Sequence, residues 1–404
     1  MRIAIIWHCV YPWDIRIEKA LNLLSKHGHK IHLICKGREG LPQTEDIGPV
    51  RTHRIFVSSS SIGSNLSKML SYPIFLNPVW IYSIVKILIK NRVDLIIVRD
   101  LPLALLAGIL GKALRIPVLL DMAENYPAAL IAYSKARYKP FLLMDGFLPK
   151  FYEQWSLKFM EHVFIVAEEQ RTRLMKLGVP EDKMSCIRNT PELRFFSENT
   201  GCGGENGTDL NSGATLLYVG KIDKHRGVDI LIRAMPEILK RYPKARLQII
   251  GDGTERKKLI EMVEGLTLKE SVIFEGWIEF SRVPLFIGNS TICLIPHLRS
   301  EHTNTTIPNK IFDYMAMGKP VIVSNCEPLA RIVREEKCGL IFRSGDSDDF
   351  SRKVIKLLED KNRNVYGLNG KKAVELKYNW QVDSENMLKT INNMSLLREK
   401  GYCL

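Results

Sequence analysis

The sequence lacks the cysteine patterns that mark disulfide frameworks and metal sites. Its eight cysteines are scattered over 404 residues, with no C-x-x-C pair and no histidine partner at metal-ligand spacing. This distribution excludes a small secreted scaffold held by disulfides, and it gives no sign of a zinc module. We therefore expect free thiols in a reducing cytoplasm.

Glycine is missing where a dinucleotide-binding enzyme needs it. The first predicted strand is RIAIIW at 2–7, and a polar loop leads from it into a helix from about Ile15 to His27. A second strand, HKIHLIC at 29–35, completes a β-α-β unit. Because no G-x-G-x-x-G follows the first strand, the pattern argues against a dehydrogenase.

Long apolar runs are also rare. The stretch 66–90 is apolar, but it contains Pro73, Pro78 and three lysines. It is therefore a poor candidate for a transmembrane helix. It is either a helix packed in the core or one whose outer face lies in a bilayer interface. RIAIIW is too short for the apolar segment of a signal peptide. We therefore expect a cytoplasmic protein, with peripheral contact at the inner face of the cell membrane as the sharper hypothesis.

Positive charge is abundant and unevenly spread. The formal net charge is +14, and about +10 of it falls within residues 1–190. A basic segment of this kind can bind nucleic acid, an anionic membrane surface or a phosphate-bearing substrate. Nucleic acid is disfavoured because aromatic residues are not interleaved with the basic runs. An anionic membrane is the favoured partner, and a merely solvated basic face is the alternative.

Length and pattern predict two α/β domains. The chain is too long for one ordinary core, and strands alternate with helices in both halves, which predicts doubly wound parallel sheets. A polar run at 197–213, rich in glycine and asparagine, is typical of a linker or surface loop. The second half opens with the strand ATLLYVG at 214–220, and the tail from Trp380 to Lys400 is predicted to be helical.

A helix followed by a strand is predicted in TNTTIPNKIFDYMAMGKPVIVSN at 303–325. Thr305 and Thr306 are expected to cap the helix, with Pro308 in its first turn. Gly318 supplies the stop, and VIVS is a short apolar run typical of a buried parallel strand.

The start of this helix is a candidate phosphate site. Free N–H groups and the positive end of the helix dipole favour an anion there, and Lys310 adds a mobile charge. Asp313, one turn further along, can accept hydrogen bonds from a sugar hydroxyl. The alternative is an ordinary amphipathic helix with one exposed aspartate.

The run PNKIFDYMAMGKPVIVS resembles the nucleotide-binding signature of family 4 glycosyltransferases, which are retaining enzymes of the GT-B class. In that family two acidic residues with seven positions between them flank the helix start. The second matches Asp313, whereas the first falls on Thr305, so the chain resembles the branch with P-[NS]-K-x-x-[ED]-Y-M-A. The resemblance implies nucleotide-sugar binding by a set of residues in this segment: Thr305, Thr306, Asn309, Lys310 and Asp313.

The same resemblance implies the GT-B fold, an α/β architecture in which two doubly wound Rossmann-like domains face a central cleft. Residues 1–190 would form the acceptor-binding domain and residues 214–378 the nucleotide-sugar-binding domain, with a linker at 191–213. Residues 379–404 would form a C-terminal helix that crosses back to the first domain.

A second motif, YVGKIDKHRGVDILIRA at 218–234, predicts an anion clamp. Lys221 and Arg226 lie in the loop between a strand and a helix, where two cations can stabilise a departing diphosphate. The loop resembles the family's G-R-x-x-x-x-K-G, with Lys and Arg exchanged and Gly220 in the glycine slot. Gly251 and Gly253 of GDGTE match the family's next glycine loop, although a plain turn explains them equally well.

Acidic residues follow the predicted strand IPVLLD at 116–121. Asp121 and Glu124 are candidate catalytic residues, because the carboxyl edge of an open sheet is where ligands bind. Glu124 is the candidate for holding the transferred sugar or accepting the acceptor's proton, and a solvated loop carboxylate is the alternative. Asp14 and Arg16, in Y-P-x-D-x-R, resemble a family opening, but capping and pairing at a helix start is the favoured interpretation.

These features predict a retaining glycosyltransferase that moves a sugar from a UDP- or GDP-linked donor to a glycan or lipid-linked acceptor, as in polysaccharide or glycolipid biosynthesis. The lysine–arginine pair makes a catalytic metal unnecessary, so no metal and no cofactor are expected. A UDP-sugar 2-epimerase on the same fold is one alternative. A nucleotide-sugar-binding protein without catalysis is another, and Thr305 in the acid slot favours it.

Overall fold

The computed structural model describes residues 1–12, 14–56, 77–133, 147–198 and 213–399. The chain folds into two compact units. The first comprises Met1–Ile187 with Ser384–Leu404, and the second comprises Arg188–Asp383. Most of the run predicted as a linker lies outside the described residues, and its part Leu193–Glu198 forms a short helix of the second unit.

An eight-stranded sheet forms the centre of the first unit. Its strands in chain order are β1 (Arg2–Val10), β2 (Lys30–Lys36), β3 (Thr44–Ile47), β4 (Val50–Ile55), β5 (Leu95–Arg99), β6 (Val118–Met122), β7 (His162–Ile165) and β8 (Met184–Cys186). The spatial order is β3-β4-β2-β1-β5-β6-β7-β8. Among these pairings β3 with β4 is antiparallel and the others are parallel. The order reverses between β1 and β5, so the loops that follow these strands diverge and leave room for a ligand.

Helices cover this sheet. They are α1 (Ile15–Lys26), α2 (Pro78–Lys90), α3 (Ala104–Leu114), α4 (Tyr126–Tyr133), α5 (Phe147–Leu157) and α6 (Glu168–Lys176). Trp80, Ile84 and Leu88 of α2 are buried in one apolar cluster with residues of α3 and α5. The inner side of α2 is therefore core, while 57–76 lies outside the described residues. Within the described ranges, no helix is both long and apolar enough to span a bilayer.

A six-stranded parallel sheet forms the centre of the second unit. Its strands are β9 (Thr215–Val219), β10 (Arg246–Ile250), β11 (Val272–Gly276), β12 (Ile292–Ile295), β13 (Val321–Ser324) and β14 (Gly339–Phe342). The order β11-β10-β9-β12-β13-β14 reverses between β9 and β12. Both units are therefore doubly wound, as the sequence predicts, and all four residues of VIVS are buried in β13.

The second unit contributes eight whole helices and the first turn of a ninth to the described part of the chain. They are α7 (Leu193–Glu198), α8 (Val228–Arg241), α9 (Arg256–Gly265), α10 (Val283–Asn289), α11 (Lys310–Ala316), α12 (Glu327–Glu336), α13 (Ser347–Glu359), α14 (Arg363–Leu376) and α15 (Trp380–Glu399). From Ser384 onward α15 belongs to the first unit. Helix α8 is amphipathic, because its apolar residues recur on one face and are buried there.

The prediction that Thr305 and Thr306 cap the helix of the signature is wrong. Helix α11 begins at Lys310 with Asn309 as its N-cap residue, and both threonines lie in the preceding turn. Thr305 Oγ1 donates to the carbonyls of Glu301 and His302 at 2.9 and 3.2 Å, and Thr306 Oγ1 donates to His302 O at 3.0 Å. Threonine hydroxyls that bond to a carbonyl three or four residues back stabilise a local turn instead of a helix start.

Gly339 gives a test of the second sheet. A Cβ atom at this position would lie 1.8 Å from the carbonyl oxygen of Val321, its partner on β13. We predict that Gly339→Ala lowers the free energy of unfolding by more than about 2 kcal/mol, because overpacking against backbone cannot relax by a rotamer change. Urea unfolding followed by circular dichroism measures the change.

Gly265→Ala is the matched control, since a Cβ at this helical position meets no atom within 4 Å. It is expected to be neutral or mildly stabilising, because alanine favours the helix. Equal stability of the two variants would contradict the close strand pairing at Gly339.

Candidate functional site

The switch point of the second sheet is built from the ends of β9 and β12. Tyr218 lies near the end of β9, and Lys310 at the start of α11 places its Nζ 4.0 Å from the centre of the Tyr218 ring. Gly220 is the first residue after β9 and has a φ of +136°. A Cβ atom at this position would lie 2.6 Å from the amine of Lys310. The missing side chain of Gly220 therefore lets the lysine reach across the carboxyl edge of the sheet.

Arg226 is brought to the same edge by contacts between two loops. It ends a short 3-10 turn, Lys224–Arg226, that precedes Gly227. A Cβ on Gly227 would lie 2.1 Å from Pro296 O, and the amide of Leu298 donates to His225 O at 2.9 Å. The loop after β9 is thus packed, backbone against backbone, on the loop after β12.

The guanidinium of Arg226 is held by a neutral histidine. Its Nη1 donates to Nε2 of His297 at 3.1 Å, and His297 is 2% exposed. Burial, followed by the charges of Arg226 and Lys310, keeps the pKa of His297 well below its ordinary value. A neutral imidazole can accept the hydrogen bond, so His297 orients Arg226 without competing for an anion. Arg226 Nε has no hydrogen-bond partner within the described structure.

Two further imidazoles near Arg226 are also neutral. Burial and the charge of Arg226 lower the pKa of His225 and of His302 to about 4. The pKa of Lys310 is also held well below its usual value, by burial first and by the charge of Arg226 second. The charge of Asp313 acts in the opposite direction. Two like charges in a poorly hydrated corner favour the binding of an anion, which relieves both costs.

The sequence predicts Lys221 as the partner of Arg226 in the anion clamp, and that role stays a prediction. Lys221 is exposed, and its backbone carbonyl accepts a hydrogen bond from the Tyr218 hydroxyl at 2.6 Å. Arg226 and Lys310 are both half-buried, and the charge of Arg226 acts on Lys310. Lys221 remains at the rim of the loop, with its side chain in solvent.

Gly251 and Gly253 serve the packing of adjacent loops. A Cβ on Gly251 would lie 2.0 Å from Gly220 O, and one on Gly253 would lie 2.4 Å from Ile222 O. The interpretation as a plain turn therefore has a physical basis, and the contact of these glycines with a nucleotide stays a prediction. In the acid slot Thr305 is 8% exposed and bonded to backbone carbonyls.

Asp313 lies in the first turn of α11, one turn after Asn309. It is half-buried, and its charge acts on Lys310. Its predicted contact with a ribose stays a prediction. Sequence reasoning missed the three histidines, although His297 directly follows the apolar run that forms β12, where ligand-facing residues are expected.

Asp121, predicted as catalytic, is engaged in a buried ion cluster of the first unit. Arg16 Nε lies 3.0 and 2.9 Å from its two carboxylate oxygens, and Arg99 lies 3.5 Å away. Burial tends to raise the pKa of Asp121, but Arg16 and Arg99 hold it below the usual range. A carboxylate so held is a poor proton acceptor, and the catalytic role of Asp121 stays a prediction. Asp14 caps α1 by accepting from Ile17 N at 2.9 Å, as expected.

Glu124 lies half-buried in the loop between β6 and α4. The next residue, Asn125, is fully buried and accepts a hydrogen bond from Ala128 N at 3.3 Å, which fixes the start of α4. The charge of Glu124 acts on Arg99. At the end of β1, His8 has a buried Nδ1 with no hydrogen-bond partner in the described structure, and burial lowers its pKa. Sequence reasoning did not single out His8.

The described residues contain no group of three or more His, Cys, Asp or Glu side chains arranged to hold a metal ion. The expectation that the reaction needs no metal stays a prediction.

Comparisons with known proteins relate each half of the chain to a glycosyltransferase sequence model. The sequence model described as Glycosyltransferase Family 4 matches residues 17–192, and that described as Glycosyl transferases group 1 matches residues 213–360. An uncharacterized glycosyltransferase of Methanocaldococcus jannaschii is 30% identical over 166 residues, or 41% of each chain. A phosphatidyl-myo-inositol mannosyltransferase of Mycobacterium leprae is 25% identical over 185 residues, 45% of this chain and 47% of the relative. The matched regions span less than half the length of these curated relatives.

Solved structures share the whole architecture. Sucrose-phosphate synthase of Thermosynechococcus elongatus superposes with a TM-score of 0.74 at 19% identity, covering 97% of this chain and 98% of that one. HepE of Anabaena in complex with UDP gives a TM-score of 0.71 at 13% identity, covering 97% and 100%. Identity this low shows the fold and not the substrate. The two halves of the chain thus each match a glycosyltransferase sequence model, and the chain has the GT-B fold.

Proposed function

We propose that this protein transfers a sugar from a UDP- or GDP-linked donor, with retention at the anomeric carbon, to a glycan or lipid-linked acceptor in polysaccharide or glycolipid assembly. One observation carries the proposal: Arg226 and Lys310 share a poorly hydrated corner at the switch point of the second sheet. Two comparisons support it. HepE was solved with UDP, and the Mycobacterium leprae relative is named for a phosphatidylinositol acceptor.

The proposed chemistry is electrostatic. Negative charge grows on the diphosphate as the glycosidic bond breaks, and Arg226 and Lys310 are placed to stabilise it. Each preorganised cation is worth about 3 kcal/mol in a dry site. His297 fixes the direction of the guanidinium, so little reorganisation is needed when the charge develops. No metal is required in this scheme.

Other residues keep the roles that the resemblance implies. Asp313 would bind the ribose, and Glu124 would hold the transferred sugar or accept the acceptor's proton. Thr306 and Asn309, before α11, would line the donor site together with Gly220. Lys221 is exposed and would add charge at the rim. Peripheral contact with an anionic membrane belongs to the same proposal, because a lipid-linked acceptor is presented at such a surface.

A screen of nucleotide sugars tests the donor. Thermal stabilisation by UDP- and GDP-sugars identifies the nucleotide, because tight binding to the folded state raises the melting temperature by mass action. The stabilising donor is then incubated with the protein, with and without membrane lipids, and the products are separated. Transfer of the sugar supports the proposal. Isomerised nucleotide sugar without transfer would reveal an epimerase, and binding with neither product would reveal a protein without catalysis.

The first prediction concerns the two cations. Arg226→Ala and Lys310→Ala are each expected to weaken nucleoside-diphosphate binding about ten- to a hundredfold, since a charge-assisted hydrogen bond is lost. Binding of the bare nucleoside should change little. Arg233→Ala is the control, because Arg233 is an exposed cation of α8 that pairs with Asp229. Titration calorimetry with diphosphate and nucleoside separates these cases, and unchanged diphosphate affinity in the Arg226/Lys310 double variant would refute the clamp.

The second prediction concerns Asp313. Asp313→Asn keeps the size but removes the charge, and it is expected to weaken nucleoside and nucleoside diphosphate alike, about tenfold or more. Asp313→Glu should be milder, since related sequences carry glutamate in that slot. Equal binding by wild type and Asp313→Asn for both ligands would assign the ribose to another residue.

A further inference from the structure

Three helices of the first unit expose large apolar side chains outward. Helices α2, α3 and α5 bury their inner sides in one cluster against the sheet. Their outer sides leave Tyr82 66%, Ile89 58%, Ile109 48%, Phe151 46% and Trp155 43% exposed. We call the outer side of these three helices the lysine-rich apolar face. Large exposed apolar side chains on helices that share one core cluster make this side a candidate interaction surface.

The charge on this face is of one sign. Five exposed lysines lie on the three helices or directly after them: Lys86, Lys90, Lys112, Lys150 and Lys158. The helices contain a single carboxylate, Glu153. Its side chain is 1% exposed and paired with Arg173 at 2.7 and 2.9 Å. The face therefore presents cations to solvent and keeps its one acid inside.

The lysines lie next to the aromatic rings. Lys158 Nζ is 4.8 Å from the centre of the Trp155 ring, and Lys86 Nζ is 5.7 Å from that of Tyr82. The rings of Phe151 and Trp155 are 5.8 Å apart. A lysine that lies along an aromatic ring keeps its stem on apolar surface while its amine reaches outward, which is the arrangement favoured where one side is apolar and the other is wet.

The composition decides between possible partners. A merely solvated basic face has no reason to expose tryptophan and phenylalanine, and protein interfaces are depleted in lysine. Aromatic rings beside lysines are typical of segments that lie in a membrane interface, where amines meet lipid phosphates. We propose that the lysine-rich apolar face docks on an anionic lipid bilayer, with its apolar side chains at the headgroup boundary. This inference rests on the proposed function in one respect, that a membrane presents the acceptor.

Vesicle binding by the full-length protein tests the proposal. Phosphatidylcholine vesicles with and without phosphatidylglycerol are sedimented at low and at high salt. Wild type is expected to bind the anionic vesicles, to bind the neutral ones weakly, and to be released by salt because screening shortens electrostatic reach. Lys112→Gln, Lys150→Gln and Lys158→Gln combined should weaken anionic binding about a hundredfold, at about fivefold per lysine. Phe151→Ser with Trp155→Ser should weaken it at least tenfold.

Matched controls come from the second unit. Lys257, Lys371 and Lys372, all exposed, are changed to Gln together, and Leu368 and Leu376, 64% and 70% exposed, are changed to Ser. These variants should bind vesicles like wild type. Absence of wild-type binding to anionic vesicles at low salt, equal binding to neutral vesicles, or equal losses in both variant sets would overturn the proposal.

The nucleotide readout separates this inference from the proposed function. All variants of the face should keep the thermal stabilisation given by the donor, because the changed residues lie in the other unit from Arg226 and Lys310. If the protein binds vesicles but no nucleotide sugar, the proposed donor is wrong and the membrane-docking proposal stands. If it binds a nucleotide sugar but no vesicles, the membrane-docking proposal is wrong and the proposed donor stands.

Discussion

The repulsion between Arg226 and Lys310 is the constraint around which the second unit is arranged. Burial, and then the charge of Arg226, make the charged form of Lys310 costly, and its low pKa reports that cost. The fold offsets part of it. Lys310 lies over the Tyr218 ring, Arg226 donates to His297, and Asp313 adds a negative charge nearby. The remainder is a preference for an anion, which the proposed nucleoside diphosphate would supply.

Close backbone packing makes this corner possible. Gly220 leaves the space that the Lys310 amine crosses, and Gly227 lets the turn that carries Arg226 approach the loop after β12. Because loops after neighbouring parallel strands meet at one edge, residues far apart in sequence share the site. In the first unit the same principle joins Arg16 to Asp121, which are separated by 105 positions, and fixes the edge where Glu124 lies.

Much of the fold could be predicted from the sequence, because continuous apolar runs and amphipathic periods are local signals. Strands β1, β2, β6, β9 and β13 follow from them. The hairpin of β3 and β4 was not predicted, since its strands are short and β3 is largely polar. The cap at Thr305 failed because a turn competes for the same hydroxyl. Likewise, chain order could not show that Lys310 lies close enough to Arg226 for the charge of Arg226 to lower its pKa.

Proton exchange on nucleoside-diphosphate binding tests the central claim most directly. In the empty site burial and Arg226 keep the pKa of Lys310 low, and a bound diphosphate raises it, so binding takes up protons at pH values between the two pKa values. Calorimetry at mildly alkaline pH in two buffers of different ionisation enthalpy measures the uptake. Lys310→Arg keeps a cation that does not titrate, so it should bind without uptake. Binding by wild type without proton uptake, or unchanged uptake in Lys310→Arg, would contradict the account.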